Sequence, residues 1–255
     1  MATAPLTSPA PETAPMSEGS RIINTFLAPS KTFTDLQRSS SWWAPWLLIA
    51  IFSLIFIYTI DREVGFDQIT KNEIAKSSRA EQFEKLPADQ KAKQMQFSTT
   101  LTRVLTYGSP VLALIAFLVI AAVLMGLFNL GLGASVRFGT AMAIAVYGSL
   151  PSIFGAILGV ISLAAGAASG SLDRDAFNVR NPVATNPAYF MDPVSSKFLY
   201  GMVSMFDLLT IWTIVLMGIG FSCNSKVKRG TAIAVVAACY IVYKVIASGL
   251  GAAFS

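Results

Sequence analysis

The chain has 255 residues, of which 54% are hydrophobic and only 13% charged, with a mean hydropathy of +0.59 and a formal charge of +5. A soluble domain is about a quarter charged because it must cover its surface with polar groups, so this composition excludes an ordinary soluble protein and points to lipid as solvent for much of the surface. The basic excess lies in loops between apolar runs and forms no aromatic-studded stripe, which argues against nucleic acid as a partner and for orientation against an anionic leaflet.

Residues 1–20, rich in Ala, Pro, Thr and Ser, read as a disordered tail and lack the basic start and apolar core of a signal peptide. Arg21 to Arg38 alternates apolar and polar groups around Pro29. It is expected to form an interfacial element with Ile22, Ile23, Phe26 and Leu27 on the membrane surface, followed by a short turn with Phe33 and Leu36 inward.

A hydrocarbon core of about 30 Å takes about 20 mostly apolar residues to cross as a helix. Five stretches qualify: Trp42–Ile60, Val104–Leu132, Ala141–Ala168, Leu199–Ser222 and Thr231–Ala253. Lipid-exposed strands with open edges are not tolerated in hydrocarbon, so the expected fold is all-α, a polytopic five-helix transmembrane bundle over residues 21–255. Trp42, Trp43 and Trp46 suit the headgroup boundary of the first span.

Between the first two spans, Asp61 to Arg103 carries eight basic and seven acidic residues and reads as a charged helical extension broken at Leu86-Pro87. A helix starting near Ala88, just after Pro87, would carry the second span well outside the membrane. The loop Ser169 to Ser196 holds Pro182, Pro187 and Pro193, which preclude a long helix across most of it. Asp192 and Pro193 are the expected cap and first residue of the fourth helix.

The chemistry available is limited. Histidine is absent, which removes Ser-His-Asp and Cys-His catalysis and His-ligated zinc. Neither a metal nor a cofactor is expected. Cys223 and Cys239 are the two cysteines; about 24 Å of helix rise between them is too far for a disulfide, which needs Cα atoms within about 7 Å.

Two charges interrupt the spans, Asp207 in the fourth and Lys244 in the fifth. Folded as a hairpin, the two helices bring them to within about 3 Å of the same depth. A charge at that depth costs about 2.5–3.5 kcal/mol on insertion scales and usually finds a partner. The expectation is a structural salt bridge, with an ion or proton site as the alternative. Pro151 deletes the donor that would bond the carbonyl of Tyr147, predicting a kink with an open acceptor, or alternatively a ligand pocket. Asn129 is expected to bond another helix. Gly155-Gly159 and Gly166-Gly170 are small-xxx-small pairs suited to seams within the bundle.

These residues carry a resemblance. The lead segment NTFLAPSKTF followed by SWWAPWLL, the third-span stretch AVYGSLPSIFGAILG with Tyr147, Gly148, Ser149 and Pro151, and the fourth-span stretch FDLLTIWTIVLMGIG with Asp207, Trp212, Gly218 and Gly220 resemble the Yip (Ypt/Rab-interacting protein) domain family of five-span membrane proteins. The trailing SKVKRG also fits, and the likeness is closest to the family's bacterial branch. Eukaryotic members bind prenylated small GTPases, but this chain lacks their Asp-Leu-Tyr-Gly-Pro lead into a span, so GTPase binding is not expected here.

Orientation follows in part from charge. Seven basic residues fall on the side of the N-terminus and eleven on the other, but the tight acid-free loop with Lys226, Lys228 and Arg229 weighs toward the cytoplasm. The resemblance implies a cytoplasmic N-terminus, which for five spans puts the C-terminus outside, in a bacterial inner membrane. The expected function is a non-enzymatic membrane-organising or adaptor protein whose partners are the bilayer and a membrane protein or second copy. The alternative is a small-solute or ion transporter using the kinked third span and the Asp207–Lys244 pair.

Overall fold

A computed structural model describes residues 15–77, 80–179, 181–192 and 196–254. The described residues are helical with no strand. The tail expected over residues 1–20 ends sooner than its composition suggests, because α1 (Glu18–Leu27) starts inside it. The Ser17 side chain accepts from the Ser20 backbone N–H and caps the helix, with Glu18 in the positive first turn. Residues 1–14 lie outside the described residues.

Ala28 precedes a proline and is pushed out of the helical region (φ −148°, ψ 65°), so the chain breaks there. It restarts as α2 (Pro29–Asp35) with Pro29 in the first turn. The surface element expected here is instead half-embedded: Phe33 and Leu36 are fully buried, as expected, while of the four membrane-facing candidates Ile22 and Phe26 pack on the core and Ile23 and Leu27 stay exposed.

The first crossing helix is α3 (Trp43–Glu63). Gly65, at φ +85°, turns the chain into α4 (Phe66–Ala75), and α5 (Ala80–Glu84) follows. The charged extension then re-enters through α6 (Ala88–Tyr107), which begins directly after Pro87 as expected, and joins α7 (Ser109–Gly126) at Gly108. Thus the apolar crossing segment is Ser109–Gly131 and starts later than Val104.

The third crossing breaks at its proline. α8 (Phe138–Gly148) and α9 (Ser152–Ser169) are joined by the turn 149–151. The carbonyl of Tyr147 that Pro151 leaves without its usual donor is taken at 3.2 Å by the Leu150 backbone N–H. The helix is interrupted at the proline, and the expected open acceptor is closed by a tighter turn.

Gly170 ends α9 in the left-handed conformation, φ +71°. Among the described residues of the proline-rich loop after it, the helical element is the short 3₁₀ turn Pro187–Phe190. Pro193 lies outside the described residues. The cap of the next helix is Ser196, whose hydroxyl accepts from the Leu199 N–H at 3.3 Å, rather than Asp192.

The expected fourth span is two helices, α10 (Lys197–Val203) and α11 (Leu208–Cys223), bent by 54°. α12 (Arg229–Phe254) closes the chain. Among the described residues four helices are long and apolar enough to cross a membrane, and the bent pair would make a fifth.

Helix α8 is the axis of the bundle. Every residue from Thr140 to Gly148 is buried, packed by α7, α11 and α3, with Phe33 of α2 and Leu36 just after it against the same core. Phe128 and Phe221 stack at 4.3 Å and 16° beside it. Outward faces such as Val111, Ile115 and Val119 of α7 and Val242 and Ile246 of α12 stay exposed and apolar, as lipid-facing surface requires.

Apolar burial gives little drive between helices already in lipid, so close backbone approach must hold them. The glycines show it. A Cβ on Gly159 would stand 2.4 Å from the Phe56 ring of α3, and one on Gly148 would stand 2.6 Å from the Met217 side chain of α11. Gly155-Gly159 is therefore a seam inside the bundle, whereas Gly170 of the other pair is a helix terminator.

Candidate functional site

The polar residues singled out by sequence do not converge; they separate to the two ends of the bundle. At the N-terminal end the organising group is Arg21, only 2% exposed. Its Nε and Nη2 both reach the Oδ2 of Asp35 at 2.7 Å, and its Nη1 lies 3.5 Å from Glu18. Tyr147, fully buried on α8, donates its hydroxyl to Glu18 Oε2 at 2.7 Å. The Arg21 carbonyl accepts from Thr25 and Thr32 hydroxyls at 2.8 and 2.9 Å, which binds α1 to α2.

Burial alone would lower the pKa of Arg21. The hydrogen bonds and charge of Asp35, with Tyr147 and Glu18, more than reverse this and raise it above its ordinary value. The guanidinium is a fixed charge.

This end is also clamped from outside. Asn224 Nδ2 donates to the Phe33 carbonyl at 2.8 Å, Gln37 to the Cys223 carbonyl at 2.7 Å, and Arg229 to the Ser30 hydroxyl at 2.9 Å. Ser40 and Thr140 hydroxyls meet at 3.0 Å. α2 therefore covers the ends of α8 and α11 on the side of the links 132–137 and 224–228, and α1 leads from it along the bundle to Tyr147 and Trp212, the two helices together forming an N-terminal cap.

Trp212 joins the cap to the bundle. Its ring stacks on Phe154 of α9 (5.6 Å, 11°) and meets Phe26 of α1 edge-on (5.5 Å, 68°), while Phe26 and Phe154 make a third contact at 5.3 Å. Asn129 does not reach another helix. It donates to the Val136 carbonyl and accepts from the Val136 N–H, both at 2.9 Å, stapling the link into α8. Its side-chain amide supplies both partners of a backbone unit that a local turn cannot satisfy. Asn129→Ala should lower stability by about 1–3 kcal/mol, because it leaves both groups of a buried residue unpaired. A melting curve in detergent checks this.

At the opposite end, the structure corrects the expected salt bridge. Among the described residues no ion pair joins Asp207 to Lys244. Asp207 is not inside a helix; in extended conformation (φ −79°, ψ 128°) it is the N-cap of α11. Its Oδ1 accepts from the N–H and hydroxyl of Thr210 at 2.8 and 3.0 Å, and its Oδ2 accepts from the Thr185 hydroxyl. The carboxylate is thus committed to capping the broken span. Lys244 instead donates to the Ser204 hydroxyl at 3.1 Å.

Both side chains nevertheless line one cavity of about 530 Å³ between α10, α11, α12 and the loop before α10. Tyr200, Tyr240, Asn178 and Lys197 share its wall, and Asn178 donates to the Tyr200 hydroxyl at 3.1 Å. The charged extension closes this end. Asn72 donates to the carbonyls of Arg174 and Phe177, and Gln68 donates to Asp175. Arg103 lies over the Phe66 ring and 3.6 Å from Asp61, which also accepts from the Tyr107 hydroxyl at 3.1 Å.

Sequence reasoning missed Glu18, Arg21 and Asp35. Residues 23–249 match the Yip1 domain family. No curated protein and no solved structure matches the chain.

Proposed function

The chain belongs to the Yip1 domain family of membrane proteins, and from that premise we propose that it is a non-enzymatic membrane-organising or adaptor protein. One observation carries the reading. The polar groups that stood out within the apolar sequence are mostly consumed in structural bonds at separate places: Tyr147 in the cap, Asn129 in a link, Asp207 at a helix start. That distribution suits a scaffold that presents surfaces rather than a centre that gathers reacting groups.

We also propose a cell-membrane location with the bent α10–α11 pair as a fifth crossing. The cap then lies in the cytoplasm and the C-terminus outside. The grouping of the cap with the acid-free basic link around Lys226, Lys228 and Arg229 supports this orientation. The partner is a membrane protein or a second copy. No small-GTPase role follows, since the lead motif of GTPase-binding members is missing.

The cavity shared by Lys244 and Asp207 favours a second reading, a small-solute or ion transporter. Purification in mild detergent with parallel reconstitution separates the two. The adaptor reading expects a stoichiometric complex and no solute-dependent flux in liposomes. A chain that purifies alone and carries flux overturns it.

A further inference from the structure

Lys244 occupies an unusual position among the charges of this molecule. It sits in an apolar helix, its ammonium bonds the neutral Ser204 hydroxyl among the described residues, and the Asp207 carboxylate on the same cavity is already engaged by two threonines and a backbone N–H. Two further cations, Lys76 and Lys197, line the same cavity, against the two carboxylates Asp207 and Glu73. Among the described residues of the lining, three lysines and two acids leave one excess positive charge. A partly buried ammonium in an apolar helix whose nearby carboxylate is engaged elsewhere is costly, and an anion entering the cavity would offset that cost.

The walls suit an oxygen-rich anion. Tyr200, Tyr240 and Asn178 provide neutral hydroxyl and amide groups beside the lysines, and about 530 Å³ lies within the usual range of ligand cavities, about 300–1,000 Å³. The α10–α11 elbow that forms one wall also exposes Phe198, Leu199, Phe206 and Leu208. Apolar side chains at the margin of a cationic cavity match an amphiphile with its charged end inside and its chains in the bilayer.

We propose that this cavity binds a phosphate group, carried by an anionic lipid headgroup or present as free phosphate, with the half-buried Lys244 as the first cationic contact and Lys197 as a second. The proposal goes beyond the adaptor reading and does not depend on it, because a scaffold and a transporter could both hold such a group.

The test is native mass spectrometry of the full chain in detergent, titrated separately with short-chain phosphatidylglycerol, phosphatidylcholine and inorganic phosphate. Phosphatidylglycerol should bind about ten-fold more tightly than phosphatidylcholine, and Lys244→Gln should weaken it by about ten-fold or more. Lys228→Gln, at the opposite end of the bundle, should leave binding unchanged. Inorganic phosphate that competes with phosphatidylglycerol identifies a free-anion site; phosphate that does not compete identifies a lipid site. If Lys244→Gln fails to fold, Lys197→Gln carries the test with the same direction of change. Equal binding of the charged and zwitterionic lipids, or equal binding by wild type and the folded lysine variants, overturns the proposal.

Discussion

Asp35→Asn should destabilise the protein by about 3–5 kcal/mol, the range for removing one partner of a buried ion pair. Arg21 and Asp35 are only 2% and 8% exposed, so water cannot replace the lost charge. The damage should be local at first. Glu18 meets Arg21 through one oxygen at 3.5 Å and holds the Tyr147 hydroxyl through the other, so it offers Arg21 only a longer contact in place of the 2.7 Å pair. The cap should therefore loosen before the bundle melts, and protease should cut near Ala28 and Pro29 in the variant while wild type resists. The double replacement Arg21→Met with Asp35→Leu should regain much of the stability, since exchanging a buried pair for apolar groups of similar size is often neutral. Thermal melting of the three proteins in one detergent measures this. Equal stability of Asp35→Asn and wild type would mean that the pair is solvated.

Gly218→Ala should be the other severe change, costing about 1–3 kcal/mol or more through overpacking. A Cβ at Gly218 would stand 2.6 Å from Ile233 Cα and 2.8 Å from its backbone nitrogen. Backbone cannot rotate away as a side chain can, so α11 and α12 must separate. Gly249→Ala on α12 is the matched control. Nothing lies within 4 Å of its Cβ position, and alanine should gain about 0.5–1 kcal/mol there from helix propensity. Opposite shifts in melting temperature for the two variants are the expected result.

These residues also show how far the sequence could be read. Four helices of crossing length were legible because apolar runs of spanning length admit one backbone solution in lipid. The breaks at Pro29, Pro87 and Pro151 were legible because proline removes a donor wherever it sits. The Gly155-Gly159 seam followed from the spacing of small residues on one face. By contrast, Arg21 and Asp35 are 14 residues apart and Tyr147 is 129 residues from Glu18. In a helix rich in polar groups such charges look solvated, and only the docking of α1 on α8 and of α2 on α11 reveals that they are buried.

Asp207 was misread for a different reason. Averaging hydropathy across 199–222 makes one span of it, and a carboxylate within a span seeks a cation. Yet Asp207 stands three residues before Thr210 at the head of an apolar run, the usual position of a capping side chain. That local signal, weighed above the average, places a helix start there and leaves Lys244 without its expected partner.

The most direct test of the account is whether the N-terminal helices are docked as a cap in the native membrane. Cys223 Sγ lies 3.9 Å from the Ser30 carbonyl oxygen, across the joint between α2 and the end of α11. In membranes carrying Ser30→Cys with the native Cys223, mild oxidation should form an intrachain disulfide that shifts gel mobility and reverses on reduction. The same treatment of a Leu27→Cys variant, whose position is exposed on α1, should give no such link. A Ser30→Cys chain that stays reduced and labels freely with a water-soluble maleimide would contradict the docked cap.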